Sequence, residues 1–141
     1  MANKYNVGNL VEDGDSNVVR LIESHMDGTY KAKRGEEFIS LNEDAIYPIW
    51  LKDEFFTNNG YHKSALYEEP GGTSSVLFVA NDGYGPAITK RFSHWGTMVA
   101  DPEYSIAGII IRSVADFQNL MALCHCGSIA DKVTVEPRKK V

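Results

Sequence analysis

One eight-residue stretch, TKRFSHWG at 89–96, concentrates side chains that could hold a planar anion. Arginine presents a fork of N–H donors that matches phosphate, and an aromatic ring can stack on a base. Together with a tyrosine in the preceding turn, these side chains form our predicted ligand-binding set: Arg91, Ser93, His94, Trp95 and Tyr84. Arg112 is a second candidate, because it precedes a predicted helix N-terminus, where backbone donors favour anions.

The same stretch has a structural interpretation. In a strand over 87–92, alternation places Lys90 and Phe92 on one face and Arg91 on the other. Phe92 and Trp95 would then anchor a core, and the two cations would protect an edge strand from aggregation. The sequence leaves both interpretations open.

Other reactive side chains lack the spacing that catalysis or metal binding needs. The segment CHC at 124–126 places one residue between two cysteines, whereas structural zinc needs four ligands, usually in two pairs. A lone His-x-Ser element at His62 lacks the second copy that paired histidine catalysis would require. No Gly-x-Ser-x-Gly nucleophile elbow is present. We therefore predict no catalytic residue, no metal and no cofactor.

The composition limits the classes of binding partner that we expect. The 141 residues carry 14 Lys and Arg against 19 Asp and Glu, which gives a net charge of -5. Proteins that bind a nucleic-acid duplex are usually basic, so a duplex is not an expected partner. The chain starts without an apolar leader, and no apolar run approaches the roughly 18 residues that span a bilayer. We expect no membrane association and a cytoplasmic location.

Turn signals and hydrophobic alternation predict an α+β fold within one domain, 1–141. A small, bent antiparallel sheet or partial barrel occupies the N-terminal half, with strands over 18–22, 29–33, 37–41 and 44–49. A short helix over 51–59 follows, and further antiparallel strands are predicted over 61–67, 75–80, 87–92 and 104–112. One longer C-terminal helix spans 114–125, capped by Ser113 with Asp116, and 133–135 is a last short strand. The domain could divide into a small β part, 1–50, and an α+β part, 51–141.

Three segments carry a resemblance to a known family. PIWLKDEFFTNNGY at 48–61 resembles the PIPL element and NGF-terminated helix of short hypothetical proteins from phages and mobile elements of gut Bacteroidales. IIIRSVADFQNLM at 109–121 is similar to their closing strand and ELQNLY-containing helix, and GNLV at 8–11 to their opening strand. The stretch 64–101 diverges, and Ala115 stands where the family often carries a histidine. The matched motifs imply structural positions and no catalytic role.

The resemblance implies a phage or prophage accessory protein, acting in the cytoplasm of the host cell. We expect a non-enzymatic protein that acts by binding, either by sequestering a nucleotide second messenger or by blocking a host defence protein. The alternative is a structural or assembly protein of a virion or mobile element, since many short strands with exposed edges favour self-association into homo-oligomers.

Overall fold

The computed structural model describes residues 5–69, 71–83, 85–95, 98–99, 102–124 and 132–135. In chain order the elements are β1 (Leu10–Glu12), β2 (Val18–Ser24), β3 (Thr29–Arg34), β4 (Glu37–Asn42), a 3-10 turn (Glu43–Ala45), α1 (Asp53–Asn58), β5 (Tyr61–Glu69), β6 (Thr73–Ala80), β7 (Ile88–Trp95), β8 (Met98–Val99), β9 (Glu103–Ile106), β10 (Ile109–Ile111) and α2 (Val114–Leu123). The strands pair antiparallel in two open sheets, which confirms the predicted α+β class.

The chain forms two compact units. The first contains Met1–Trp50 and Ser113–Val141, and the second contains Leu51–Arg112. The helix α2 therefore belongs with the N-terminal strands and not with the strands that directly precede it in the sequence. Among the described residues, no helix is both long and apolar enough to cross a membrane.

The first unit is built on a four-stranded sheet in the order β1-β2-β3-β4. Its β2–β3 hairpin turns at Gly28, whose φ of 86° is the left-handed conformation that glycine adopts without strain. Asp27 supports this turn, since its carboxylate accepts a hydrogen bond of 3.0 Å from the Thr29 N–H. One face of the sheet is buried, and its core side chains include Val11, Val19, Leu21, Tyr30 and Ala32.

The helix α2 begins as the sequence predicts. The Ser113 hydroxyl accepts from the Asp116 N–H at 3.1 Å, and the Asp116 carboxylate accepts from the Ser113 N–H at 3.2 Å. The side chain of Gln118 joins the helix to the sheet edge, because its oxygen accepts from the Leu10 N–H at 2.8 Å and its amide nitrogen donates to the Gly8 carbonyl at 3.0 Å. A buried amide thus satisfies backbone groups that β1 leaves open.

The second unit is built on a sheet in the order β10-β9-β7-β6-β5, with β8 paired to β7. The short helix α1 packs on one face of this sheet. Its fully buried Phe56 lies with ring centroids 5.4 Å from Phe78 of β6 and 5.2 Å from Tyr104 of β9. Gly60, with a φ of 88°, follows the helix and confirms the predicted stop.

Three predicted strands differ in the structure. The segment 104–112 is a hairpin and not one strand, because Ala107 and Gly108 both take positive φ angles (51° and 84°) and reverse the chain between β9 and β10. Over 44–49, the Asn42 side chain accepts from the Asp44 N–H and begins a 3-10 turn where a strand was expected. The segment 133–135 forms no strand, although Val133 is buried.

Candidate functional site

The strand β7 carries the described part of the predicted site. It is an interior strand, since it pairs with β6 through 88–93 and with β9 through 89–91. The expectation of an edge strand is therefore wrong. The predicted alternation is confirmed, because Lys90 is largely buried on the α1 side, whereas Arg91 is exposed on the opposite face. We call this opposite face the outer face of the second sheet.

A row of polar side chains crosses this outer face. Arg91 has two Cα partners, Ser75 on β6 and Glu103 on β9, and Ser75 in turn is the partner of Tyr67 on β5. At the other end, Ile111 on β10 is the partner of Tyr104 on β9. Because these strands are antiparallel, the next residue, Arg112, lies opposite Glu103. We call these five residues the arginine row: Tyr67, Ser75, Arg91, Glu103 and Arg112.

Spacing in the arginine row suits an elongated ligand. Neighbouring strands lie about 4.8 Å apart, so Arg91 and Arg112 stand roughly 10 Å apart on either side of Glu103. Tyr67 lies at a similar distance on the other side of Arg91, and its side chain is 57% exposed. The Arg112 carbonyl accepts a hydrogen bond of 3.0 Å from the Leu51 N–H, which fixes the backbone at that end of the row.

The arginine row carries more positive than negative charge. Two arginines flank one carboxylate, Glu103, and all three side chains are exposed. A guanidinium carries five N–H donors in a fixed fork, so an arginine beside a glutamate can still bind a second anion. The row therefore favours a ligand that combines negative charge with hydrogen-bond donors, such as phosphate with sugar hydroxyls.

The structure brings together only part of the predicted set. Arg91 and Arg112, which are 21 positions apart in the sequence, lie on the same face of the sheet. The backbone of Ser93, His94 and Trp95 continues β7, but their side chains lie outside the described part of the structure. Tyr84 lies wholly outside the described residues. Their share in a site therefore stays a prediction.

On the α1 side of β7, Lys90 belongs to a compact charged cluster. Its Nζ lies 2.9 Å from the carboxylate of Asp53, the first residue of α1. The Tyr104 hydroxyl donates to the same carboxylate at 2.7 Å, and the Lys63 Nζ lies 3.0 Å away. The Asp53 side chain is only 22% exposed.

Electrostatics in this cluster shift the pKa values of Asp53 and Tyr104 in opposite directions. Burial by itself raises the pKa of Asp53, but hydrogen bonds from Tyr104, Lys90 and Lys63 outweigh burial and bring the pKa below its usual value. Burial and the hydrogen bond to Asp53 both raise the pKa of Tyr104. Both shifts favour a charged carboxylate and a protonated phenol at neutral pH, and the resulting hydrogen bond and ion pairs tie α1 to the sheet.

The other reactive side chains remain separate. His62 is exposed, and its Nδ1 lies 2.6 Å from the Asn81 side-chain oxygen. The helix α2 ends at Leu123, before the predicted end at 125, and Cys124 is exposed. His125 and Cys126 lie outside the described residues. Within the described residues, no group of three or more His, Cys, Asp or Glu side chains could hold a metal ion.

Sequence reasoning missed Tyr67 and Glu103 as members of the row. Both come together with Arg91 through strand register, which no local motif encodes. The alternation within each strand was the only available signal, and it identifies a face but not the neighbours across it. Comparison with protein-family models, with curated proteins and with solved structures gives no match to this chain, so a function must be inferred from the geometry above.

Proposed function

We propose that this is a non-enzymatic, phage-type accessory protein that binds a small, nucleotide-like anion through the arginine row. In this proposal it acts in the host cytoplasm and sequesters a nucleotide second messenger of a defence system. The observation that supports it is that Arg91, Arg112 and the exposed ring of Tyr67 lie in one row on an open face of the sheet.

Each part of the row corresponds to one part of a nucleotide. Arginine pairs with phosphate through two parallel N–H donors, so Arg91 and Arg112 would hold phosphate groups. A tyrosine ring offers a flat surface for a base, and stacking adds about 1–3 kcal/mol per base. Glu103 can accept hydrogen bonds from sugar hydroxyls between the two arginines. These roles need an extended ligand that reaches across several strands.

Binding without catalysis is consistent with the same residues. A guanidinium group is a hydrogen-bond donor without an acceptor, so Arg91 and Arg112 can hold an anion. The Tyr67 ring adds a stacking surface. The row therefore offers positioning and charge, which suit a sequestering protein. Should no nucleotide bind, a host defence protein with an acidic surface is the remaining ligand for this face.

A thermal-shift screen tests this proposal. The intact protein is heated with linear, cyclic and ADP-ribose-derived nucleotides, beside the variants Arg91→Ala, Arg112→Ala and Tyr67→Leu. Ligand bound to the native state raises the melting temperature according to RT ln(1 + [L]/Kd). We expect one nucleotide class to stabilise the parent and to lose most of its effect in each variant. The exposed Lys52→Ala serves as a matched charge control.

A flat panel would contradict nucleotide binding, provided that the melting temperatures without ligand show folded protein. A stabilisation that survives all three substitutions would contradict the site. Titration of the best nucleotide by calorimetry then gives the stoichiometry, and incubation with it followed by chromatography shows whether it is released unchanged. Turnover of the ligand would contradict the non-enzymatic part of the proposal.

A specific observation supports the alternative of an assembly protein. The strand β5 is nine residues long and lies at the edge of the second sheet, with Leu66 and Tyr67 exposed at 61% and 57%. A long edge strand with exposed apolar side chains can pair with another copy of itself. Light scattering across a range of concentrations tests this directly. A mass that grows with concentration, and that falls in Leu66→Lys, would favour assembly over ligand binding.

A further inference from the structure

The first unit carries a second charged surface, which is independent of the arginine row. The strands β2, β3 and β4 bury one face in the core, and the opposite face is open. Four side chains on that open face are of interest, three of them cationic and one aromatic. We call the set the basic aromatic face: Arg20, Lys31, Lys33 and Phe38.

Strand alternation explains why these side chains share a face. On β3, the fully buried Tyr30 and Ala32 point into the core, so Lys31 and Lys33 point the other way. The Cα partners of Lys33 are Arg20 on β2 and Phe38 on β4. Two cations and a phenylalanine thus lie in one row across three strands. Lys31 lies in the next row, with Ser40 as its β4 partner.

Contacts within the face are between cations and the ring. Lys31 Nζ lies 4.9 Å from the centroid of the Phe38 ring, and Lys33 Nζ lies 6.0 Å from it. Phe38 nevertheless stays 59% exposed. A cation–π contact at an exposed site contributes only about 0.5–1 kcal/mol, less than full burial of a phenylalanine side chain would. The fold therefore displays an aromatic ring beside two ammonium groups and gains little stability from doing so.

Charge on this face opposes the charge of the whole protein. Three cations share the face with two described carboxylates: Glu23, the Cα partner of Lys31, and the buried Glu12 on β1, the Cα partner of Val18. The chain as a whole carries a net charge of -5. Arg20 donates one N–H to the Gly8 carbonyl at 3.0 Å, which fixes its position and uses one of its five donors. A positive surface concentrated on one sheet face attracts polyanions locally even when the net charge is negative.

We propose that the basic aromatic face binds single-stranded nucleic acid. One base would stack on Phe38, and the neighbouring phosphates would contact Lys33, Lys31 and Arg20. Proteins that bind single strands combine such stacking platforms with a positively charged track for the backbone. A paired duplex does not offer its base faces for stacking, and reading its edges requires an element that enters a groove. An open sheet with one displayed ring therefore matches unpaired bases.

Fluorescence anisotropy on the intact protein tests this proposal. The probes are labelled single strands of oligo(dT) and oligo(rU), of about eight nucleotides, which falls within the usual site size. A duplex of equal length and heparin, a polyanion without bases, are added as competitors. We expect the single strand to bind and to be displaced by unlabelled single strand far better than by duplex or heparin.

Three variants separate charge from stacking. Lys31→Gln with Lys33→Gln should weaken binding at least tenfold. It should also flatten the dependence of log K on log salt by about 1.4, since each lost phosphate contact accounts for roughly 0.7. Phe38→Leu should weaken binding several-fold and leave the salt dependence unchanged. The control, Lys52→Gln with Lys132→Gln, removes two exposed cations outside this face and should change affinity less than twofold.

Circular dichroism and melting curves show whether each variant is folded, and Phe38→Tyr provides a second variant that keeps the ring if Phe38→Leu unfolds. Absence of binding by the folded parent at about 50 mM salt would overturn the proposal, since electrostatic binding is strong there. Equal losses in the control double variant would overturn it as well. Equal displacement by heparin together with no effect of Phe38→Leu would also overturn the proposal, because that result would show that the face binds anions without recognising bases. None of these outcomes depends on whether the arginine row binds a nucleotide.

Discussion

Lys90 and Asp53 form a partly buried ion pair at 2.9 Å that fastens the short helix α1 to β7. Six residues are too few for a helix to be stable by itself, so α1 depends on such tertiary contacts. The residue before the helix, Lys52, makes no capping hydrogen bond with its side chain. The Asp53 carboxylate therefore stabilises the helix N-terminus through its negative charge and holds it against the sheet at the same time.

Replacing Asp53 with Asn should destabilise the second unit. The substitution leaves the Lys90 ammonium, which is only 18% exposed, without its opposite charge. Hydrogen bonds to charged groups contribute about 1.5–3 kcal/mol, so we expect a loss of roughly 2 kcal/mol in the free energy of unfolding. Urea denaturation measures it. Glu54→Gln, at the exposed neighbouring position, is the matched control and should change stability by less than about 0.5 kcal/mol. Equal stability of the two variants would contradict this role of Asp53.

The Asp53 cluster also predicts a pH dependence. The pKa of Asp53 is lower in the folded protein than the ordinary value for an aspartate. A carboxyl group with a depressed folded-state pKa stabilises the fold above its unfolded pKa, and that stability disappears as pH falls through the folded pKa. We therefore expect the difference in unfolding free energy between the parent and Asp53→Asn to be constant from neutral pH down to about 5 and to shrink below 3.8. A difference that persists undiminished well below that pH would contradict the assignment.

Much of the fold could be predicted from local sequence. The Asp27-Gly28 turn, the Asn59-Gly60 helix stop and the Ser113 cap each use a short-range signal, and the structure confirms all three. The segment 104–112 shows the limit of such signals. The largely aliphatic segment 106–111 favours a single strand, and the one glycine in it, at 108, does not reveal that Ala107 also takes a left-handed conformation.

Less of the candidate site could be predicted, because it depends on strand order. The segment 89–96 was singled out for its composition, and the exposure of Arg91 agrees with the predicted alternation. Its neighbours across the sheet, Tyr67 and Glu103, are 24 and 12 positions away in the sequence. Only the register of β5, β6, β7 and β9 brings them into one row. Register is a tertiary property set by the pairing of whole strands.

In the first unit, Gln118→Leu should be strongly destabilising. The Gln118 side chain is 4% exposed and bonds to two backbone groups, the Leu10 N–H and the Gly8 carbonyl. Leucine fills a similar volume but leaves the buried Leu10 N–H without a partner, which costs about 1–3 kcal/mol. It also removes one of the two donors to the Gly8 carbonyl, which keeps its hydrogen bond from Arg20. Asn119→Ala, at the next and less buried position, removes one side-chain hydrogen bond, which the Asn119 oxygen accepts from the Asn9 amide at 2.8 Å, and should cost less, about 1 kcal/mol. Urea denaturation of both variants checks the order, and a smaller effect at Gln118 would contradict it.

Glu103→Gln should strengthen binding of the nucleotide that the thermal-shift screen identifies. The substitution removes the one carboxylate in the arginine row and keeps a side chain of the same shape that can still hydrogen-bond. The repulsion between two unit charges about 7 Å apart in an exposed setting is near 0.6 kcal/mol in water and about 2 kcal/mol at an effective dielectric constant of 20. We therefore expect the affinity to rise about threefold to thirtyfold at low salt, and the gain to fade as salt increases. Calorimetric titration at two salt concentrations measures both effects.

Glu68→Gln is the matched control for this prediction, because it removes an exposed carboxylate beside Tyr67 from a strand position outside the row. It should change the affinity by less than twofold. Two results would contradict this prediction, and the first of them would also count against the arginine row as the site of binding. One is an equal gain in both variants, which would indicate a long-range effect of net charge. The other is a loss of affinity in Glu103→Gln, which would mean that the carboxylate bonds to the ligand more strongly than it repels it. In that case the sugar hydroxyls, and not the phosphates, would be the groups that this part of the face selects.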